Sequence, residues 1–159
     1  MQRPWREAFV AILLGGIVAG TVDIGAACLI SGRNLPFILH AIAGGVLAQA
    51  SFDGGTRTAI LGAILQEVMG VIIAAIYVIA ARFAPILERR WIAAGVAYGV
   101  GIFFVMNYVV VPLSAWKAAP HFSPSGFAKN MLAMLLFGLI VAFFAHRAAD
   151  RRAHKQPAP

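Results

Sequence analysis

Asp23, Gln66, Glu67 and Asn107 stand inside long apolar runs, where hydrocarbon rather than water would surround them. An Asp near the middle of a membrane helix costs about 2.5 to 3.5 kcal/mol on insertion scales, so each of these residues needs a reason. No Lys or Arg lies within those runs, and Arg33 and Arg57 are each ten residues along the chain from Asp23 and Glu67. Two acids that meet in hydrocarbon without a basic partner share a proton or hold a cation. That is the chemistry of a proton relay or a coupling-ion site. The plainer reading is a hydrogen bond across the bundle, about 0.6 kcal/mol each, serving packing. It is the first reading for Gln66 and Asn107, and it stands level with the functional one for Asp23 and Glu67.

His40 is the one further residue that could extend such a relay, although a single histidine among apolar neighbours more often has a structural role. His121, His146 and His154 show no zinc spacing. The chain has no GxxxxGK[ST], HExxH, GxSxG or CxxC, and no complete GxGxxG. Cys28 is the single cysteine, so no disulfide framework is available. No metal or cofactor is expected, and the reading leans away from an enzyme because no nucleophile and base stand at a recognisable spacing.

Helices long enough to cross a bilayer must position these groups. About 20 apolar residues span the hydrocarbon core, and residues 8–30, 58–81, 92–113 and 127–145 meet or approach that length. At 1.5 Å per residue, Asp23, Glu67 and Asn107 fall roughly 9 to 14 Å below one boundary, in a common layer. Gly16, Gly20 and neighbouring alanines share a stripe with Asp23, and Gly70 lies beside Glu67. Small residues let backbones approach closely in lipid, so both carboxylates are expected in helix contacts. Gly95 and Gly99 form a third stripe, from which Asn107 is turned by about 80°.

Composition agrees with a membrane protein. Of 159 residues 61% are apolar and 12% charged, and mean hydropathy is +0.84, which excludes disorder and a soluble domain of this size. The net charge is +7, but the basic residues sit at the ends of the apolar runs. They suit anionic headgroups at the inner loops and tail, not nucleic acid.

Residues 36–50 are apolar but would extend only about 22 Å as a helix. With four spans and both termini cytoplasmic, nine Lys and Arg lie inside (Arg3, Arg6, Arg82, Arg89, Arg90, Arg147, Arg151, Arg152, Lys155) and four outside (Arg33, Arg57, Lys117, Lys129). A fifth span would reverse the balance to five against eight. Cytoplasmic loops carry the excess of Lys and Arg, so 36–50 reads as a short re-entrant or interfacial helix on the outer side. Gly25-Ala26-Ala27-Cys28 stands where a lipoprotein cleavage site would, but Asp23 interrupts the apolar core before it. The first run is therefore expected to remain as a span. Trp5, Trp91 and Trp116 fall beside span ends, as interfacial anchors do. The expectation is an all-α polytopic domain over 1–146, four spans plus the short helix, followed by a basic cytoplasmic tail over 147–159.

The stretch Ala19-Gly20-Thr21-Val22-Asp23-Ile24, the Gly32-Arg33 pair before Pro36, and the run from Met106-Asn107-Tyr108 through Pro112-Leu113-Ser114 resemble an uncharacterised family of small four-helix bacterial inner-membrane proteins. The resemblance covers most of the chain and implies a compartment and a topology rather than an activity. Two functions from different classes fit the residues. One is a small proton- or cation-linked transporter or channel subunit, which needs a homo-oligomer to enclose a path. The other is an accessory or assembly protein that binds a membrane complex, with the buried polar residues serving helix packing.

Overall fold

The structure, a computed structural model, describes residues 3–117 and 123–154. Pro120 and His121 of the connection expected on the outer side, and residues 155–159 of the expected tail, lie outside the described residues. The described chain is helical without strands: α1 (Arg3–Ser31), α2 (Leu35–Leu47), a 3₁₀ turn (Ala48–Phe52), α3 (Gly55–Phe83), α4 (Pro85–Arg89), α5 (Trp91–Val105), a π turn (Met106–Val110), α6 (Val111–Leu113) and α7 (Pro124–His154). Five segments are long and apolar enough to cross a membrane: Trp5–Ser31, Leu35–Phe52, Gly55–Phe83, Trp91–Leu113 and Pro124–Arg152.

Side-chain size is distributed as a bilayer requires. The core is built largely of alanine, including Ala8, Ala11, Ala19, Ala74, Ala142 and Ala145, around Tyr77, Val78, Phe137 and Val141. Large apolar side chains face outward instead, with Leu29 87% and Leu132 67% exposed. In water such a surface would be a liability, whereas in hydrocarbon it has no cost and close backbone contact holds the helices. The protein is a membrane-embedded, multi-pass helix bundle.

The helices pack side by side in the order α3, α1, α7, α5. Glycines set two of the crossings. A Cβ on Gly16 would stand 2.6 Å from Val71 Cα, so α1 and α3 touch backbone to backbone. Gly95 and Gly99 do the same for α5 against Gly138 and the Met134–Leu135 stretch of α7. Tyr98 bridges α5 to α3, donating its hydroxyl to the Ile73 carbonyl at 2.7 Å, with its ring 5.0 Å from that of Tyr77.

The segment after α1 folds back on itself. Gly32 at φ +66° ends α1, its N–H bonding Cys28 O, in the left-handed conformation that glycine adopts without strain. Asn34 caps α2 by accepting the Phe37 N–H at 3.1 Å. Ala48 at φ +51° then turns the chain into the 3₁₀ turn, which brings the Phe52 ring within 5.2 Å of Phe37. A straight helix would hold residues 37 and 52 about 22 Å apart, so the two ends of this segment meet at one end of the bundle. From the other connection Trp116 inserts its ring against Gly44 and donates its indole N–H to Ala41 O at 2.9 Å. Trp116 therefore pins two connections together, while Trp5 stays exposed at 59% beneath Arg82.

The π turn has a local cause. Pro112 has no N–H and its ring would clash with the carbonyl four residues earlier. Widening the preceding turn, with the Val111 N–H reaching back to Met106 O, relieves that clash. At the other end of the bundle helix α7 runs on through His154, so the first eight residues of the basic segment 147–159 are helical. Ala148 is buried against the core and Arg152 ion-pairs with Glu88 of α4. Those two contacts give the helix reason to continue.

Candidate functional site

Helices α1 and α3 cross at Gly16 and Gly70, where a Cβ on Gly70 would come 2.7 Å from Gly16 O. Such proximity leaves room for one layer of polar side chains just beyond the crossing. Gln66 and Glu67 are successive residues of α3 and so diverge by about 100°, straddling the 20–23 turn of α1. The Gln66 amide donates to Asp23 Oδ2 at 2.9 Å and more weakly to Gly20 O at 3.4 Å. The Thr21 hydroxyl donates to Glu67 Oε1 at 3.2 Å. Gly20 lies beneath the Glu67 carboxylate, and a Cβ there would be 3.3 Å from Oε2. Glycine thus provides the floor on which the carboxylate rests.

The electrostatics are one-sided. Glu67 Oε2 is buried and has no hydrogen-bond partner. Among the described residues neither Asp23 nor Glu67 has a basic group within ion-pair distance. Arg33 does not fold inward, since its guanidinium sits over the Phe37 ring at 4.7 Å. Asp23 and Glu67 are both half-buried as residues, in a seam where an acceptor without a donor is costly.

The structure brings Asp23, Gln66 and Glu67 together in this seam and leaves Asn107 and His40 apart from it. Asn107 lies in the π turn of the third long helix and donates its amide to Phe103 O of its own helix at 2.8 Å, so it is not part of a three-residue layer with the carboxylates. An amide one turn from a backbone carbonyl, which has two lone pairs, bonds locally at little entropic cost, and that local bond wins here. The His40 ring nitrogens lie 2.6 Å from Pro36 O and 2.9 Å from Gly55 O, tying the start of α2 to the start of α3. Of the packing glycines, Gly16, Gly20 and Gly70 serve this seam, while Gly95 and Gly99 serve the α5–α7 contact.

Sequence reasoning passed over Thr21, the donor to Glu67, although its hydroxyl between Gly20 and Asp23 in an apolar run was a usable signal. It also passed over Gly138, which faces Gly95 and Gly99 and forms a small-residue pair with Ala142 at the same four-residue spacing.

No family model, curated protein or solved structure matches the chain. Functional inference therefore starts from the seam itself. Its chemistry is that of two carboxyl groups, each held through one oxygen by a neutral donor from the facing helix, with one buried oxygen left over. Such an arrangement can exchange a proton, or accept a small cation among carboxylate, hydroxyl and carbonyl oxygens.

Proposed function

We propose that this chain is a small proton- or cation-linked transporter or channel subunit of the bacterial inner membrane, with Glu67 as the exchanging group and Asp23 as its neighbour. The observation that carries the reading is Glu67 Oε2, buried in the α1–α3 seam without a donor. In low dielectric an acceptor oxygen in that position binds a proton or cation more favourably than it stays bare. The four oxygens of the two carboxyl groups then have unequal roles. Asp23 Oδ2 is held by Gln66 and Glu67 Oε1 by Thr21, which fixes both groups in place, and Oε2 is the one that exchanges.

In the proposed topology α1, α3, the α5–α6 segment and α7 span, and Leu35–Phe52 is a re-entrant hairpin on the outer side. The meeting of Phe37 and Phe52 supports the hairpin, and the nine-to-four distribution of basic residues supports cytoplasmic termini. The seam is a two-helix contact rather than an enclosed channel, so a transport path requires further copies of the chain.

A second reading has its own support. All three hydrogen bonds that side-chain donors make in the seam cross from one helix to the other, as a purely structural clasp in an accessory or assembly protein would. Proton flux in sealed vesicles carrying a pH-sensitive dye separates the two. Transport predicts that Glu67→Gln abolishes flux and Asp23→Asn lowers it at least tenfold, with both variants still folded. Flux that is absent from the wild type, or equal in all three proteins, overturns transport and leaves the clasp.

A further inference from the structure

Two guanidinium groups at the end of the bundle that carries α4 have no ion-pair partner among the described residues. Arg147 and Arg151 are one helical turn apart on α7, both exposed. The other charges nearby are accounted for: Glu88 takes Arg152, and Asp150 lies 3.4 Å from His146. Among the described residues neither Arg147 nor Arg151 has a carboxylate within ion-pair distance. Both line a cavity of about 260 Å³ between α1 and α7 whose walls are Val10, Leu14, Phe143 and Phe144 and whose rim also includes Glu7. The Arg147 guanidinium stands 5.4 Å over the Phe143 ring, which holds it at the edge of the apolar wall.

Charge and hydrocarbon thus meet within one groove that is open to the side. Residues four apart on a helix lie about 5 to 6 Å from one another, a spacing at which two guanidiniums can grip the oxygens of one phosphodiester. Glu7 reduces the net charge of the rim to one positive unit, which still favours an anion. A soluble anion would use the arginines and leave the Leu14–Phe144 wall idle, whereas a phospholipid uses both.

We infer that the α1–α7 groove is a binding site for one anionic phospholipid, with its headgroup phosphate on Arg147 and Arg151 and an acyl chain along Leu14, Phe143 and Phe144. This places the site in the cytoplasmic leaflet. It depends on the topology proposed above and is independent of whether the carboxyl seam transports anything.

Native mass spectrometry of the full chain, released from neutral detergent with phosphatidylglycerol or phosphatidylcholine added in equal amounts, tests the assignment. The expected result is one retained phosphatidylglycerol, favoured at least tenfold over phosphatidylcholine. Arg147→Gln with Arg151→Gln should remove the preference, and Arg89→Gln with Arg90→Gln should keep it, since those two exposed arginines lie outside the groove. Val10→Trp, which fills the groove and keeps both charges, should also lose the lipid. Equal retention of the two lipids, or equal loss in both arginine double variants, overturns the site. Displacement by glycerol phosphate at the concentration that the lipid requires would show a soluble-phosphate site and overturn the lipid assignment.

Discussion

Replacing Gly16 by alanine should loosen the whole α1–α3 seam, and the structure sets the scale. The new Cβ would lie 2.6 Å from Val71 Cα and 2.8 Å from Val71 N, against 3.4 Å or more in ordinary contact. Both neighbours are backbone atoms, which no side-chain rotation can move, so the helices must part by about 1 Å. The Gln66–Asp23 and Thr21–Glu67 bonds, at 2.9 and 3.2 Å, lie one to two turns away and would be stretched past bonding distance. Overpacking of this kind costs about 1 to 3 kcal/mol and two cross-helix hydrogen bonds add about 0.6 kcal/mol each. A total near 3 kcal/mol is expected. The same helix contains its own control, because a Cβ on Gly25 meets nothing within 4 Å. Gly25→Ala should leave stability unchanged or raise it by up to about 1 kcal/mol through helix propensity. Unfolding in mixed micelles with increasing denaturing detergent, followed by circular dichroism, measures both. Equal midpoints for the two variants would refute the backbone contact and, with it, the placement of the carboxyl seam.

Gln66→Leu removes the donor to Asp23 Oδ2 and should destabilise by about 1 to 3 kcal/mol, read by the same denaturation, with a larger effect than Asn107→Leu because Asn107 bonds only within its own helix segment. Thr21→Val, which keeps the shape and removes the hydroxyl, should cost about 1 kcal/mol and nothing further in a Glu67→Leu background, which removes the acceptor, if the two residues act on one another alone; a double-mutant cycle decides. Trp116→Ala gives up a half-buried ring and its bond to Ala41 O, so about 2 kcal/mol of local stability is lost. Limited proteolysis should then cut faster near Ala48–Phe52. Arg152→Gln should lower stability by about 1 kcal/mol or less, because both partners of the Glu88 pair keep about a fifth of their side-chain surface exposed, and the difference should shrink in high salt.

Hydropathy and charge were informative about the helices because length and burial in lipid depend on composition, which the eye can count. The small-residue stripes likewise placed Asp23 and Glu67 on faces that meet a neighbouring helix. What composition could not show was which donor each carboxylate would find. Gln66 and Glu67 are adjacent in sequence, and their assignment to Asp23 and Thr21 follows from the crossing at Gly16 and Gly70, a property of two helices at once. Asn107 looked equivalent by depth, but Pro112 widens the turn that holds it and its amide settles on Phe103. Trp116 looked like an anchor by position, yet Gly44, seventy-two residues earlier, receives it. Helical continuation past residue 147 depends on Glu88, which lies 64 residues from Arg152. Each of these rests on a long-range meeting that no local pattern records.

Because α7 lies between α1 and α5, it is the helix that joins the two halves of the molecule. Until it inserts, α1 and α3 can pair through their glycines, but α5 lacks its main neighbour and must wait in the bilayer or beside a chaperone. Assembly is therefore completed only once α7 has inserted, and a nascent chain stalled before Pro124 would leave α5 an orphan in the bilayer.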